Sequence, residues 1–170
     1  MKKMVTAIMA LAMAFCIAGC NLNKSQIKAA CGVAGSGAAL GWVALENPTD
    51  AQKTQVSDVL TVVQSAITGV GTNTYVEVIY PLAQQYVNAN PKIKPSEKVA
   101  ILTGVLAVLS GIDIMFDSYP EWKQDTTNVE SYVNSFLGGA NSILLLPASH
   151  PKFASAKANY KISAGLKQTK

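Results

Sequence analysis

The chain is 170 residues long, carries a formal net charge of +4, and is 49% hydrophobic but only 14% charged. Every basic residue is lysine, so it lacks the planar guanidinium that reads phosphates and base edges, and no nucleic-acid partner is expected. Zinc sites use clusters of Cys, His and carboxylates, and beyond residue 20 the chain holds one histidine and one cysteine; the length suits one domain with a real core.

Lys2 and Lys3 open the chain, an apolar segment covers residues 5–17, and the small residues Ala18 and Gly19 precede Cys20. A basic start, a short apolar core and small residues at the cut site mark a secretory signal peptide. The run is short for a membrane span, which needs about 20 residues. Ile17-Ala18-Gly19-Cys20 resembles the lipobox of bacterial lipoproteins, with Ile17 where that family most often has Leu. The resemblance covers residues 1–21 only. It implies a diacylglyceryl group on the Cys20 sulfur, cleavage before it, and acylation of the new amino terminus. It also implies a cell-envelope location. Asn21, in place of the Asp that favours inner-membrane retention, points to the periplasmic face of the outer membrane if the cell is didermic. An ordinary signal cut elsewhere and an uncleaved anchor are the rival readings.

The expected organisation is therefore a signal peptide at 1–19, a lipidated cysteine and tether at 20–26, and one helical domain at 27–170 ending in a basic helix. A six-residue tether reaches ~20 Å at full extension and holds the body near the bilayer. Cys16 leaves with the signal and Cys20 takes lipid, which leaves Cys31 as the lone thiol and no intramolecular disulfide. In its Ala/Gly-rich surroundings Cys31 reads as a small buried hydrophobe.

Along the body, Ala30, Ala34, Gly37, Gly41 and Ala44 recur at spacings of four and three, a helical stripe with almost no side chain. Asn47-Pro48-Thr49-Asp50 combines a capping residue, a proline suited to a first turn, and an acid three positions on. Val56, Val59, Leu60, Val63, Ile67 and Val70 then keep helical spacing, with Gln55, Ser57, Asp58 and Gln64 on the other side and Gly69 and Gly71 as the stop. Residues 75–80 have strand-like composition, yet Tyr75, Ile79, Leu82 and Tyr86 hold a helical period straight through Pro81. With no hairpin partner nearby, the segment reads as a kinked helix.

Ser96, after Pro95, starts a helix whose residues 99–116 are apolar nearly all round, interrupted by Thr103, Ser110 and Asp113. Such a helix is either a buried central element or a membrane span, and Asp113 would be costly in lipid. It carries a second small-residue stripe at Ala100, Gly104, Ala107 and Gly111. The two stripes are expected to pack on each other or to receive large side chains from neighbours. Thr127 with Glu130 has the spacing of a capping box, followed by the stripe Val129, Tyr132, Val133, Phe136, Leu137, Ala140 and Leu144. Gly138 and Gly139 each weaken that helix by ~1 kcal/mol relative to Ala. Beyond His150 stand Lys152, Lys157, Lys161, Lys167 and Lys170 with no acid among them. They form either a membrane-surface helix drawn to anionic headgroups or a solvated terminal one.

No enzyme, cofactor or metal is expected. His150, between Ser149 and Pro151, has no neighbouring base or orienting group in sequence. The run Gly32-Val33-Ala34-Gly35-Ser36-Gly37 lacks the Gly-Lys-Ser/Thr of a phosphate loop, and no strand leads into it. Asp113, Asp117 and Glu121 cluster around a helix end and are expected to stay ionised in water. Beside them Tyr119, Glu121 and Trp122 form a polar and aromatic loop, which is either a partner-binding surface or a cover for the end of the bundle.

The expectation is an all-α, compact bundle of five or six helices tethered to a membrane through Cys20. It would act non-catalytically, through contacts with an envelope protein or the membrane surface. The alternative is a membrane-active or immunity/phage-exclusion type lipoprotein whose helices at 29–45 and 99–116 insert in the bilayer.

Overall fold

The computed structural model describes residues 22–67, 74–147 and 149. Among them are six helices and no strand: α1 (Lys24–Glu46), α2 (Asp50–Ile67), α3 (Tyr75–Ala89), α4 (Pro95–Ser118), α5 (Pro120–Gln124) and α6 (Val129–Leu144). The protein is an all-α bundle, as its periodicities predict.

Each boundary has a local cause. Asn23 and Gln26 exchange side-chain and backbone hydrogen bonds in a full capping box at the start of α1. Leu22 and Ile27, which take the positions of a hydrophobic staple around that cap, both pack on the core. Helix therefore begins at Lys24, and what reads as tether in the sequence is partly first turn. The 47–50 signal divides between two helices. Asn47 closes α1 in the left-handed conformation, at φ 47°. Thr49 is the residue that opens α2, accepting from the Gln52 amide at 3.2 Å while Gln52 Oε1 accepts from the Thr49 amide at 2.9 Å.

Two expected starts fail. Pro95 occupies the first turn of α4, with Lys94 as a cap without a side-chain bond, so Ser96 lies inside the helix. Asn128, not Thr127, precedes α6, and its side chain turns back to Asp125 instead of capping. Residues 75–80 are helical, and α3 continues through Pro81, which stands on the exposed side. Its buried stripe is Tyr75, Ile79, Ala83 and Val87. Leu82 is 41% exposed, so the apolar face lies one residue away from the expected one.

α4 is the central helix and touches all five others. Ile101, Val105, Val108, Leu109 and Ile112 are fully buried, which makes it a core element of the bundle. A methyl group on Gly104 would come within 2.8 Å of the Trp42 ring and 2.7 Å of Val56. On Gly111 one would come within 2.8 Å of Phe136 and 2.9 Å of Ala38. The small residues of α4 thus receive large side chains, the second of the two expected arrangements.

The close backbone approach is made elsewhere, between α1 and α6. A Cβ on Gly35 would overlap the Phe136 carbonyl oxygen, and one on Gly139 would overlap that of Gly32. Ser36 Oγ donates across this crossing to the Gly139 carbonyl at 2.9 Å. The residues in contact are Gly32, Gly35 and Ser36, a different face of α1 from the 30-34-37-41-44 stripe.

The contacts also set direction. Lys24 lies by Asp125 and Cys31 by Tyr132, in the same order along both segments, so α1 and α6 run parallel. Gln64, Ser57 and Lys53 of α2 meet Asn134, Asn141 and Leu146 in turn, an antiparallel pairing. Gly104 and Gly111 of α4 face Trp42 and Ala38 of α1, again antiparallel. Tyr75 of α3 lies by Asp113 and Phe116 of α4, whereas Lys98 reaches Asn88. The amino termini of α1, α3 and α6 and the carboxyl ends of α2 and α4 consequently share one end of the bundle, together with α5.

Candidate functional site

That shared end contains the expected aromatic loop. Pro120 pins the start of the five-residue α5 directly after α4. Tyr119 and Trp122 stack with ring centroids 4.2 Å apart and planes within 8°. Trp122 in turn lies 6.3 Å from the Tyr132 ring of α6. Trp122 is only 7% exposed and Tyr119 is half-buried, so the two rings cover the end of the bundle. Glu121 is the exposed member of the three.

An electrostatic knot that the sequence does not announce sits beside it. Both Asp125 carboxylate oxygens accept from Asn128 Nδ2, at 3.0 and 2.9 Å, and Oδ2 also accepts from the Tyr132 hydroxyl at 3.0 Å. The Asn128 bonds, the Tyr132 bond and the charge of Lys24 hold the Asp125 carboxyl below its ordinary range. Burial pushes the Tyr132 hydroxyl up to about 12, reinforced by its bond to Asp125 and by that charge. Lys24 opens α1, so the loop of residues 119–125 lies at the end where the chain enters the body.

Asp113 differs from its expected role. It is half-buried, and its two oxygens accept from the Tyr75 and Val76 amides at 2.7 and 3.0 Å. Thr74 Oγ1 accepts from Glu77 N at 3.3 Å, and the Thr74 carbonyl from Val78 N. The Tyr75, Val76 and Glu77 amides, which have no partner within the helix, are thereby satisfied, two of them by a side chain from another helix, and the Val78 bond starts the regular ladder of α3. Burial raises the Asp113 carboxyl above its ordinary value, while the Val76 and Tyr75 amides and Lys123 act against it. Asp117 and Glu121 remain exposed.

Sequence patterning also missed Lys53, which is 1% exposed. Its Nζ pairs with Asp50 at 2.6 Å and donates to the Leu146 carbonyl at 2.6 Å. With the Ser57–Asn141 and Gln64–Asn134 bonds it forms a polar ladder between α2 and α6. Lys53 and Ser57 each stand three residues before a buried position, Val56 and Leu60, so the spacing sets them beside the apolar stripe while their polar side chains read as its solvated edge.

Cys31 is fully buried and unpaired, and burial pushes its thiol up to about 12. Among the described residues no three His, Cys, Asp or Glu side chains gather in a metal-binding group. Cys20, His150 and Lys152, Lys157, Lys161 and Lys167 lie outside the described residues, as do Gly69, Val70 and Gly71. α1 and α4 are each long and apolar enough to cross a membrane, and more than half of the apolar stretch of each is buried inside the bundle. No protein-family profile, curated protein or solved structure matches the chain.

Proposed function

We propose that this protein is a membrane-anchored cell-envelope lipoprotein, lipidated on Cys20 and acting non-catalytically through contacts with an envelope protein or the membrane surface. One observation supports the reading above the others: only Asn21 stands between Cys20 and Leu22, which already packs on the core. Two residues span ~7 Å, so a lipid on Cys20 keeps the 119–125 end of the bundle at the headgroups. In this reading the exposed Lys24, Lys28 and Glu121 and the half-buried Tyr119 make the contacts there. Acyl chains contribute ~0.8 kcal/mol per buried methylene, so two or more give stable attachment.

Metabolic labelling with palmitate tests the anchor. The wild-type chain should take up label and sediment with membranes, and Cys20→Ala should do neither. Label on the Cys20→Ala chain would overturn the assignment. For the working surface, a photocrosslinker at Glu121 should capture lipid or one envelope protein only when Cys20 is intact.

The length and apolar character of α1 and α4 favour a second reading, in which they insert in the bilayer as a hairpin. Insertion would require α4 to leave a core in which it contacts every other helix. Residues 21–170 made without lipid distinguish the two: a soluble chain that unfolds cooperatively supports the bundle, and one soluble only in detergent supports insertion.

A further inference from the structure

A cavity of about 390 Å³ opens between α2, the end of α3 and the turn into α4, toward the end of the bundle remote from residue 22. Its volume falls within the range of small-molecule sites, about 300–1,000 Å³. Val59 and Ile93, both buried, give it an apolar floor, and Tyr86 forms one wall. Gln55 lines it too, and the Gln55 carboxamide oxygen is enclosed without a hydrogen-bond donor. A buried carbonyl left without a donor is unfavourable, and rotation about the last torsion of Gln55 would offer that oxygen to a donor in the cavity.

Opposite charges flank this floor. Asp58 on α2 and Lys92 in the turn are both exposed, and neither forms an ion pair among the described residues. The turn that carries Lys92 is held in place: Asn90 Oδ1 accepts from the Lys92 amide at 3.0 Å, and the Asn90 carbonyl accepts from the Ile93 amide at 3.3 Å. Lys92 is thus presented from a fixed backbone.

We infer that this cavity binds a small zwitterion with an apolar side chain, an α-amino acid or a short peptide. Its ammonium sits between Asp58 and the Gln55 oxygen, its carboxylate meets Lys92, and its side chain lies on Val59 and Ile93. The cavity is an independent feature of the bundle and does not rest on how the chain is anchored.

The test is calorimetric titration of the full-length, detergent-solubilised protein with L-leucine and with L-leucyl-glycine. 3-Methylbutylamine and 4-methylpentanoate serve as ligands lacking one charge each. At least one zwitterion binds, and the tighter of the two identifies free amino acid or peptide as the source. Each singly charged analogue binds about tenfold more weakly or worse, as does the wild-type ligand to Asp58→Asn, Lys92→Met or Gln55→Met. Asp58 and Lys92 are exposed, so their variants should keep the wild-type unfolding midpoint. Absence of binding by both zwitterions at millimolar concentration overturns the proposal. So does equal affinity for a singly charged analogue, or unchanged affinity in Gln55→Met.

Discussion

Gly138 and Gly139 are neighbours on α6, and replacing each with alanine should shift stability in opposite directions. Alanine gains ~1 kcal/mol over glycine within a helix. At Gly138, which is exposed, a methyl group meets nothing within 4 Å, so this gain should appear whole. At Gly139 the same methyl would lie 2.6 Å from the Gly32 carbonyl carbon and 2.9 Å from its Cα, and would overlap the carbonyl oxygen. An ordinary contact starts near 3.4 Å, so relief of the carbon contact alone moves the helices apart by about 0.8 Å. Both sides of the collision are backbone, and no rotamer change relieves it. Overpacking of this kind costs about 1–3 kcal/mol, and loss of the Ser36–Gly139 bond adds about 1 kcal/mol. After the propensity gain, Gly139→Ala should lose about 1–3 kcal/mol net. Urea unfolding of residues 21–170, followed by circular dichroism, gives both numbers. In a chain of this size 1 kcal/mol is worth roughly 2–4 °C in Tm, which makes the opposite shifts resolvable. Equal stabilisation by the two substitutions would refute the close crossing of α1 and α6.

Asp113→Ala should cost about 1–2 kcal/mol through the lost cap on α3 and should speed hydrogen exchange at the Tyr75 and Val76 amides, whose unchanged protection would count against the cap. The Asp125 carboxyl is held below its ordinary value in the fold, so its stabilising contribution is present above the usual aspartate range and is lost as pH falls through the folded value. Tyr132→Phe should raise the Asp125 pKa in a carboxyl-carbon NMR titration and reduce that acid-side loss; an unmoved titration would contradict the bond. Because the Cys31 thiol is buried and pushed up to about 12, an aromatic disulfide reagent at pH 8 should modify it only as fast as the protein opens. Rapid reaction of the native protein, equal to that in denaturant, would contradict this placement.

Several elements were legible because they depend on local pattern. The α2 stripe Val56, Val59, Leu60 and Val63 and the α6 stripe from Tyr132 to Leu144 are buried as their spacing requires. The Asn/Pro/Thr/Asp run was recognisable as a helix boundary, although which residue caps which helix depends on one left-handed residue, Asn47. Trp122 illustrates the opposite case. Its residue type suits a binding anchor as well as a core cover, and only the stacking on Tyr119 and the nearby Tyr132 ring decides between them. The cavity residues Gln55, Asp58, Tyr86 and Lys92 read along the chain as an ordinary polar face and a turn. Nothing in their spacing brings two helices and a loop to one point.

The sequence by itself determined that the body is all-helical, that its helix at 99–116 is apolar nearly all round, that Cys31 suits a buried position, and that Cys20 stands in a motif resembling that of lipoproteins. These follow from composition and from the 3.6-residue period, which act over one or two turns. The tertiary structure alone decided partners. It set Gly139 rather than Gly138 against Gly32, turned Asp113 from a solvated acid into the cap of another helix, and buried Lys53 beneath the end of α6. Partner choice depends on backbone separation and side-chain volume across helices distant in sequence, and periodicity records neither.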